Sequence, residues 1–348
     1  MKMATTAATT LLASINRNLA AISSHSFPGP APTICSTSSS VASHFASKDY
    51  QSFLFDCDGV VYRVSDKIPG ATESIQWLQS QGKRCLFVTN SSGRDRESMR
   101  AKLSTVLGME LETDQMVPSC FTAASFIKDN HPNVKKALVI GDAGVVSELE
   151  KIGVECIGGP ADHGKTAAWD EADIENYEID PDVGAVVVGM CTNFTYGMVA
   201  KANLYLLNPD VVFVSTNQDP YDVLRNGRPQ PAAGVMVRAL EAVAERPATN
   251  VGKPSKYLGE MLKEKLGVDP AKAVFVGDRL DTDIEFGLNN GVDTALVLSG
   301  CSTGEVVKDL YAKASRGEEA TLPTVIIPHI GLFNGGLSSD EEERMSKL

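Results

Sequence analysis

From residue 52 onward, short runs of β-branched and aromatic residues alternate with amphipathic stretches of 10 to 15 residues: "SFLFDC" (52–57), then 71–81, "RCLFVTN" (84–90), then 94–107. The rhythm returns at "KALVIG" (136–141), "GAVVVGM" (184–190), "VVFVST" (211–216), "AVFVGD" (273–278) and "TALVLS" (294–299). Strands that are apolar at nearly every position need cover on both faces, and helices in the connections supply it when the strands run parallel. The alternation therefore predicts an α/β chain with a Rossmann-like parallel-sheet core.

In open parallel sheets, functional groups gather in the crevice outside the carboxyl ends of the strands. Four strand ends here are polar: Asp56-Cys57-Asp58-Gly59, Thr89-Asn90-Ser91, Gly252-Lys253-Pro254 and Gly277-Asp278-Arg279. Any one alone is an ordinary βα turn, but four in the same structural position point to a site. The middle of the chain, roughly 118–232, has its own α/β alternation without such clusters, and carries the turn-rich passages "GGPADHG" (158–164) and "RNGRPQP" (225–231). It reads as a large inserted α/β cap domain, with the core built from 49–117 and 233–336.

Asp56 and Asp58 lie two residues apart. In an extended segment such residues share a face while the one between points away, so both carboxylates converge on one ligand and Cys57 does not. Gly59 permits a sharp turn out of the strand. Two carboxylates so close cannot both stay ionised and unpaired cheaply, so either a cation neutralises them or one keeps a proton. A hard divalent cation serves, since one or two carboxylates plus substrate phosphate is the usual way Mg²⁺ is held. Asp278 supplies a further carboxylate, and Asp283, after "RLDT", can orient a water on the metal. No twelve-residue EF-hand loop is present. Lys253, set between a glycine and a proline, aims an ammonium at a fixed point, while Thr89 and Asn90 add a hydroxyl, an amide and backbone donors. A phosphoryl group needs donors on several sides.

Composition narrows the partners. Residues 1–48 hold no Asp or Glu, carry Lys2, Arg17 and Lys48, and are dominated by Ser, Thr and Ala, which reads as a disordered organellar transit peptide. Without that leader, 29 basic face 44 acidic residues, a net charge near −15. Nucleic acid is disfavoured, and any phosphate site must be built locally rather than by the overall field. No run approaches the roughly 20 apolar residues of a membrane span. The seven cysteines form no CxxC pair and three histidines remain outside the leader, which leaves little for a zinc ribbon, a disulfide framework or a histidine triad. The acidic tail 337–348 ends in Ser346-Lys347-Leu348, a peroxisomal address that competes with a plastid one, with the cytosol as the remaining alternative.

"FDCDGVVY", "LFVTNSS", "VGKPS" and "VGDRLDTDIEFG", in this order, resemble the four motifs of the haloacid dehalogenase superfamily. The text between them, "GKRCLFVTN", "GGPAD", "DVGAVVVGM" and "TALVLSG", resembles the eukaryotic, plant-type phosphoglycolate phosphatases and the related p-nitrophenyl phosphatases, over about residues 49–336. The resemblance implies an Mg²⁺-dependent phosphomonoester hydrolase for a small phosphorylated metabolite, 2-phosphoglycolate in photorespiratory salvage. It also implies roles. Asp56 is the nucleophile that becomes an aspartyl phosphate, and Asp58 the general acid and base; Thr89, Asn90 and Lys253 hold the phosphoryl oxygens. Asp56, the Asp58 backbone carbonyl and Asp278 bind the metal, with Asp283 behind them. An acid at position 58 distinguishes phosphatases and phosphomutases from dehalogenases and ATP-driven pumps. Relatives also suggest a homodimer through the cap.

The cap departs from the family at "GMCTNFTYG" (189–197) and "STNQDPYDVLRNGRPQPAAG" (215–234), which bears on substrate rather than on phosphoryl chemistry. One alternative is a broader phosphatase of pyridoxal phosphate, glycerol phosphate or p-nitrophenyl phosphate. A more distant one is a non-catalytic phosphate-binding module, which chain length, cap and Asp58 disfavour.

Overall fold

The computed structural model describes residues 2–23, 31–166, 169–224 and 228–333. They divide into two compact units, the first of residues 1–88, 102–111 and 259–348, the second of 89–101 and 112–258.

In the first unit the strands lie side by side in the order Val325–Ile327, Asp293–Val297, Ala273–Gly277, Ser52–Phe55 and Arg84–Thr89, all parallel. The strand Ser52–Phe55 is buried at every position, and Phe55 stands in register with Val276 on one side and Phe87 on the other. Phe53, Phe55 and Phe333 form a ring cluster against it. Each such side chain contributes about 2 kcal/mol of burial, so the register that sets the strand ends is strongly fixed. The Asp56 amide still donates to the Val276 carbonyl at 2.9 Å, which carries the ladder one residue beyond the strand.

The leader is not disordered where it is described. Residues Lys2–Ser23 are helical, and Ile22 is buried among Leu296, Leu298, Val307 and Tyr311. Ile34 forms a parallel bridge with Ile326, and the helix Ser38–Ala46, capped by Thr37, seats Phe45 against Phe333 with ring centroids 4.7 Å apart. A composition of Ser, Thr and Ala conceals a few large apolar residues that find a face to bury. The residues 337–348 and the Ser-Lys-Leu end lie outside the described residues.

The second unit has its own parallel sheet, in the order Thr249–Asn250, Val212–Ser215, Val183–Val188, Lys136–Ile140 and Glu155–Gly158, with an apolar cluster on each face. It reaches residue 258, whereas the sequence alternation puts the boundary at 232. The helix Ala233–Ala244 packs Met236, Val237 and Leu240 into this unit's core, and Thr249–Asn250 pairs with Val214 and Ser215. Alternation reveals a strand but not the sheet it joins. Among the described residues no helix is long and apolar enough to cross a membrane.

Candidate active site

Three neighbouring strands of the first unit end in the groups that define the site. Asp56, Asp278 and Asp283 are 7%, 2% and 0% exposed, and each offers a carboxylate oxygen within 4.8 Å of the others. Asp278 follows the strand Ala273–Gly277; its Oδ2 accepts from the Cys301 amide at 2.6 Å. Gly59 (φ 81°) and Gly300 crowd the same carboxylate so closely that a β-carbon on either would overlap it. Only glycine fits at these two places. Asp283 sits in a single wide turn of helix, Leu280–Ile284, and its Oδ2 accepts from the amides of Asp278 (2.9 Å) and Arg279 (3.1 Å). That geometry spends one oxygen on fixing the loop that carries Asp278.

Three buried carboxylates within 5 Å repel one another strongly in a poorly solvated site. The donor set, all carboxylate oxygen with no nitrogen or sulfur, fits a hard divalent cation such as Mg²⁺. The Asp58 side chain stands outside this group: it is exposed, and its Oδ2 accepts from the hydroxyl of Tyr62 at 3.0 Å. Cys57, between the two aspartates, is fully buried. Its backbone carbonyl accepts from Val61 and Tyr62, closing the loop.

The second unit holds the remaining predicted residues. Thr89 ends the strand Arg84–Thr89, and its Oγ1 accepts from the Ser91 amide at 3.2 Å. The Asn90 amide group accepts from the Lys253 backbone N–H (2.8 Å) and donates to the Lys253 carbonyl (3.2 Å) and to Asp219 Oδ1 (2.9 Å). Lys253 is 2% exposed, far from the solvated lysine that its residue type suggests. Asn90, Asp219 and Lys253 thus form one buried polar group.

Sequence reasoning missed three participants. Asp219 belongs to "TNQDP", a polar cluster just past the strand Val212–Ser215, so the middle of the chain does carry one of these ends. Gly300-Cys301 follows "TALVLS", which was legible as a strand end without a charged residue to mark it. Tyr62 stands inside "FDCDGVVY" with no charge to mark it; burial, and then the neighbouring Asp58, hold its phenol well above the ordinary value, so it stays a donor. In the departing cap segment, His163 lies 3.7 Å from the Cys191 sulfur through Nε2 and 3.2 Å from Asn193 Nδ2 through Nδ1. Burial raises the Cys191 thiol, which makes it a packing group rather than a nucleophile.

The family described as haloacid dehalogenase-like hydrolase matches residues 53–155, and a HAD-hydrolase-like profile matches residues 250–325. The chain is 38% identical to phosphoglycolate phosphatase 2 of Arabidopsis thaliana over 78% of its length and 90% of the relative's. It is 36% identical to glycerol-3-phosphate phosphatase of Rattus norvegicus, over 75% of this chain and 82% of that one. Among solved structures, the glycerol phosphate phosphatase of Mycobacterium tuberculosis in complex with magnesium superposes with a TM-score of 0.65 at 25% identity, covering 82% of this chain and 76% of that one.

Proposed function

The chain belongs to the haloacid dehalogenase-like hydrolases and is a phosphatase of that family, and from that premise we propose that it hydrolyses 2-phosphoglycolate to glycolate and phosphate through an aspartyl phosphate. The observation that carries the reading is the buried trio Asp56, Asp278 and Asp283, the first two at neighbouring strand ends and the third in the turn after Asp278, with the exposed Asp58 carboxylate two residues beyond Asp56.

In this mechanism a carboxylate oxygen of Asp56 attacks phosphorus as the bond from phosphorus to the leaving oxygen breaks. Asp58 gives its proton to that oxygen. Asp58, now ionised, takes a proton from the water that attacks the phosphoenzyme, and the bond between Asp56 and phosphorus breaks to release phosphate. Thr89, Asn90 and Lys253 supply donors to the phosphoryl oxygens. Mg²⁺ would be held by the Asp56 carboxylate, the Asp58 backbone carbonyl and Asp278, with Asp283 fixing the loop behind them; when bound it offsets their charge and that of the phosphoryl group. The likeness to plant phosphoglycolate phosphatases favours glycolate as the leaving alcohol.

The test is a comparison of kcat/KM for 2-phosphoglycolate, glycerol 3-phosphate, pyridoxal phosphate and p-nitrophenyl phosphate with the purified chain. 2-Phosphoglycolate should lead, and activity should vanish in a chelator and return with Mg²⁺. A wide lead for glycerol 3-phosphate would move the substrate to that of the second group of relatives. Full activity in chelator contradicts the role given to the three aspartates.

A further inference from the structure

The mechanism above needs Asp58 in one orientation, although its side chain is exposed. Tyr62 is its opposite: 3% exposed, and held on both sides of its own residue. The Gly59 amide donates to the Tyr62 carbonyl at 2.7 Å, and the Tyr62 amide donates to the Cys57 carbonyl at 3.1 Å. Tyr62 also opens a short antiparallel pair with Asp66–Lys67. From the helix that follows the strand Arg84–Thr89, the Lys102 ammonium lies 3.9 Å from the Tyr62 ring centroid, a cation–π distance that pins the ring face. The hydroxyl of a ring so held lies 3.0 Å from Asp58 Oδ2 and donates to it.

We infer that Tyr62 is a positioning residue for Asp58, holding Oδ2 through its hydroxyl so that Oδ1 is the oxygen that delivers and recovers the proton. This rests on the reading of Asp58 as general acid and base. Tyr62 itself loses no proton: Oδ1–H gives its hydrogen to the leaving oxygen as the bond to phosphorus breaks, and Oδ1 takes one from water in the second step. Burying a tyrosine hydroxyl requires a partner, and a rigid buried donor opposite an exposed carboxylate orders the carboxylate at little further entropic cost.

The leaving group separates this role from packing. An alkoxide must be protonated as it departs, whereas p-nitrophenolate departs without a proton. In Tyr62→Phe, kcat/KM for the best alkyl phosphate should fall about tenfold or more, while kcat/KM for p-nitrophenyl phosphate stays within about threefold. For the nitrophenyl ester kcat should still fall and KM fall with it, because hydrolysis of the phosphoenzyme also uses Asp58. Asp58→Asn must show the same split more deeply; if it does not, the acid–base reading has failed and not the positioning one. Lys102→Met, which removes the ammonium from the ring face but leaves the hydroxyl in place, should move the ratio between the two esters in the same direction as Tyr62→Phe by a smaller factor. With the Asp58→Asn split in hand, equal losses on both esters in Tyr62→Phe, no loss on either, or an aggregated variant would each overturn the proposal.

Discussion

The backbone N–H of Lys253 donates to Asn90 Oδ1 while Asn90 Nδ2 donates back to the Lys253 carbonyl. The same Nδ2 reaches Asp219, so every polar atom of the Asn90 amide is used. Asn90→Asp replaces a double donor by an oxygen facing an existing carboxylate and a carbonyl. It should lower stability by about 3 kcal/mol in urea denaturation, from lost hydrogen bonds and like-charge repulsion in a buried place. It should also cut kcat/KM about 100-fold by displacing Lys253. An unchanged denaturation midpoint would show the pair to be incidental.

Gly300 and Asp278 make a second prediction. Gly300→Ala puts a methyl group where the Asp278 carboxylate stands. The backbone of the next residue cannot give way without losing the Cys301 amide bond to the same oxygen. The variant should therefore need at least tenfold more Mg²⁺ for half-maximal activity, read from a metal titration of turnover, since one displaced ligand weakens a cation site by that order. An unaltered metal titration would mean that Asp278 is not a ligand.

These two cases mark what the sequence could disclose. Asp56, Asp278 and Thr89 announce themselves because a charged or hydroxyl side chain ends an apolar run, and Lys253 because it stands between a glycine and a proline; such adjacency survives without coordinates. Gly300 does not, because its role is the absence of a side chain. Asp219 does not, because it stands four residues past its strand. Tyr62 is hidden for another reason: a tyrosine that is 3% exposed looks like core until the direction of its hydroxyl is known. The parallel-sheet architecture was legible from alternation, but the place of Thr249–Asn250 in the second sheet depends on pairing across the chain. The packing of the leader is not legible because composition averages over a few buried residues, Ile15, Ile22, Val41 and Phe45 among them.

That leader yields a stability prediction. Deleting residues 1–32 leaves Ile34, Val41 and Phe45 in place, whereas deleting 1–48 removes the bridge to Ile326 and the buried side chains of Cys35, Ser38, Val41 and Phe45. At about 2 kcal/mol each for Val41 and Phe45, the longer deletion should cost about 4 kcal/mol beyond the shorter one, or roughly 8 °C in melting temperature. Equal melting temperatures would show that the helix Ser38–Ala46 adds nothing to the fold.

His329 gives a pH dependence. It is buried, its Nδ1 accepts from the Gly331 amide at 3.1 Å, and burial pushes its imidazole down to about 4, with a bond to the Pro69 backbone opposing. Above about pH 6.5 the ring is neutral folded or unfolded, and its contribution to stability is fully present. As pH falls from 6.5 towards 4 the unfolded chain takes up a proton that the folded one refuses, so stability is lost, by about 3 kcal/mol in all, and the loss stops growing below 4. His329→Gln should be less stable at pH 7 but should lose less between pH 6.5 and 4.5, measured by chemical denaturation at each pH. An identical slope would place the acid sensitivity elsewhere.

Cys57 stands between the two aspartates assigned to the chemistry, and the last prediction separates it from them. Its side chain is fully buried, and what it gives the loop is a carbonyl that accepts from Val61 and Tyr62. Alanine keeps that carbonyl and removes only a sulfur. Cys57→Ala should cost about 1 kcal/mol through the small void it leaves and hold turnover to within about threefold. Asp56→Asn keeps shape and removes the nucleophilic oxygen's charge, so it should abolish turnover while the melting temperature holds or rises, because a buried carboxylate no longer faces Asp278 and Asp283. The reverse pattern, a dead alanine variant and an active asparagine one, would move the chemistry to the thiol.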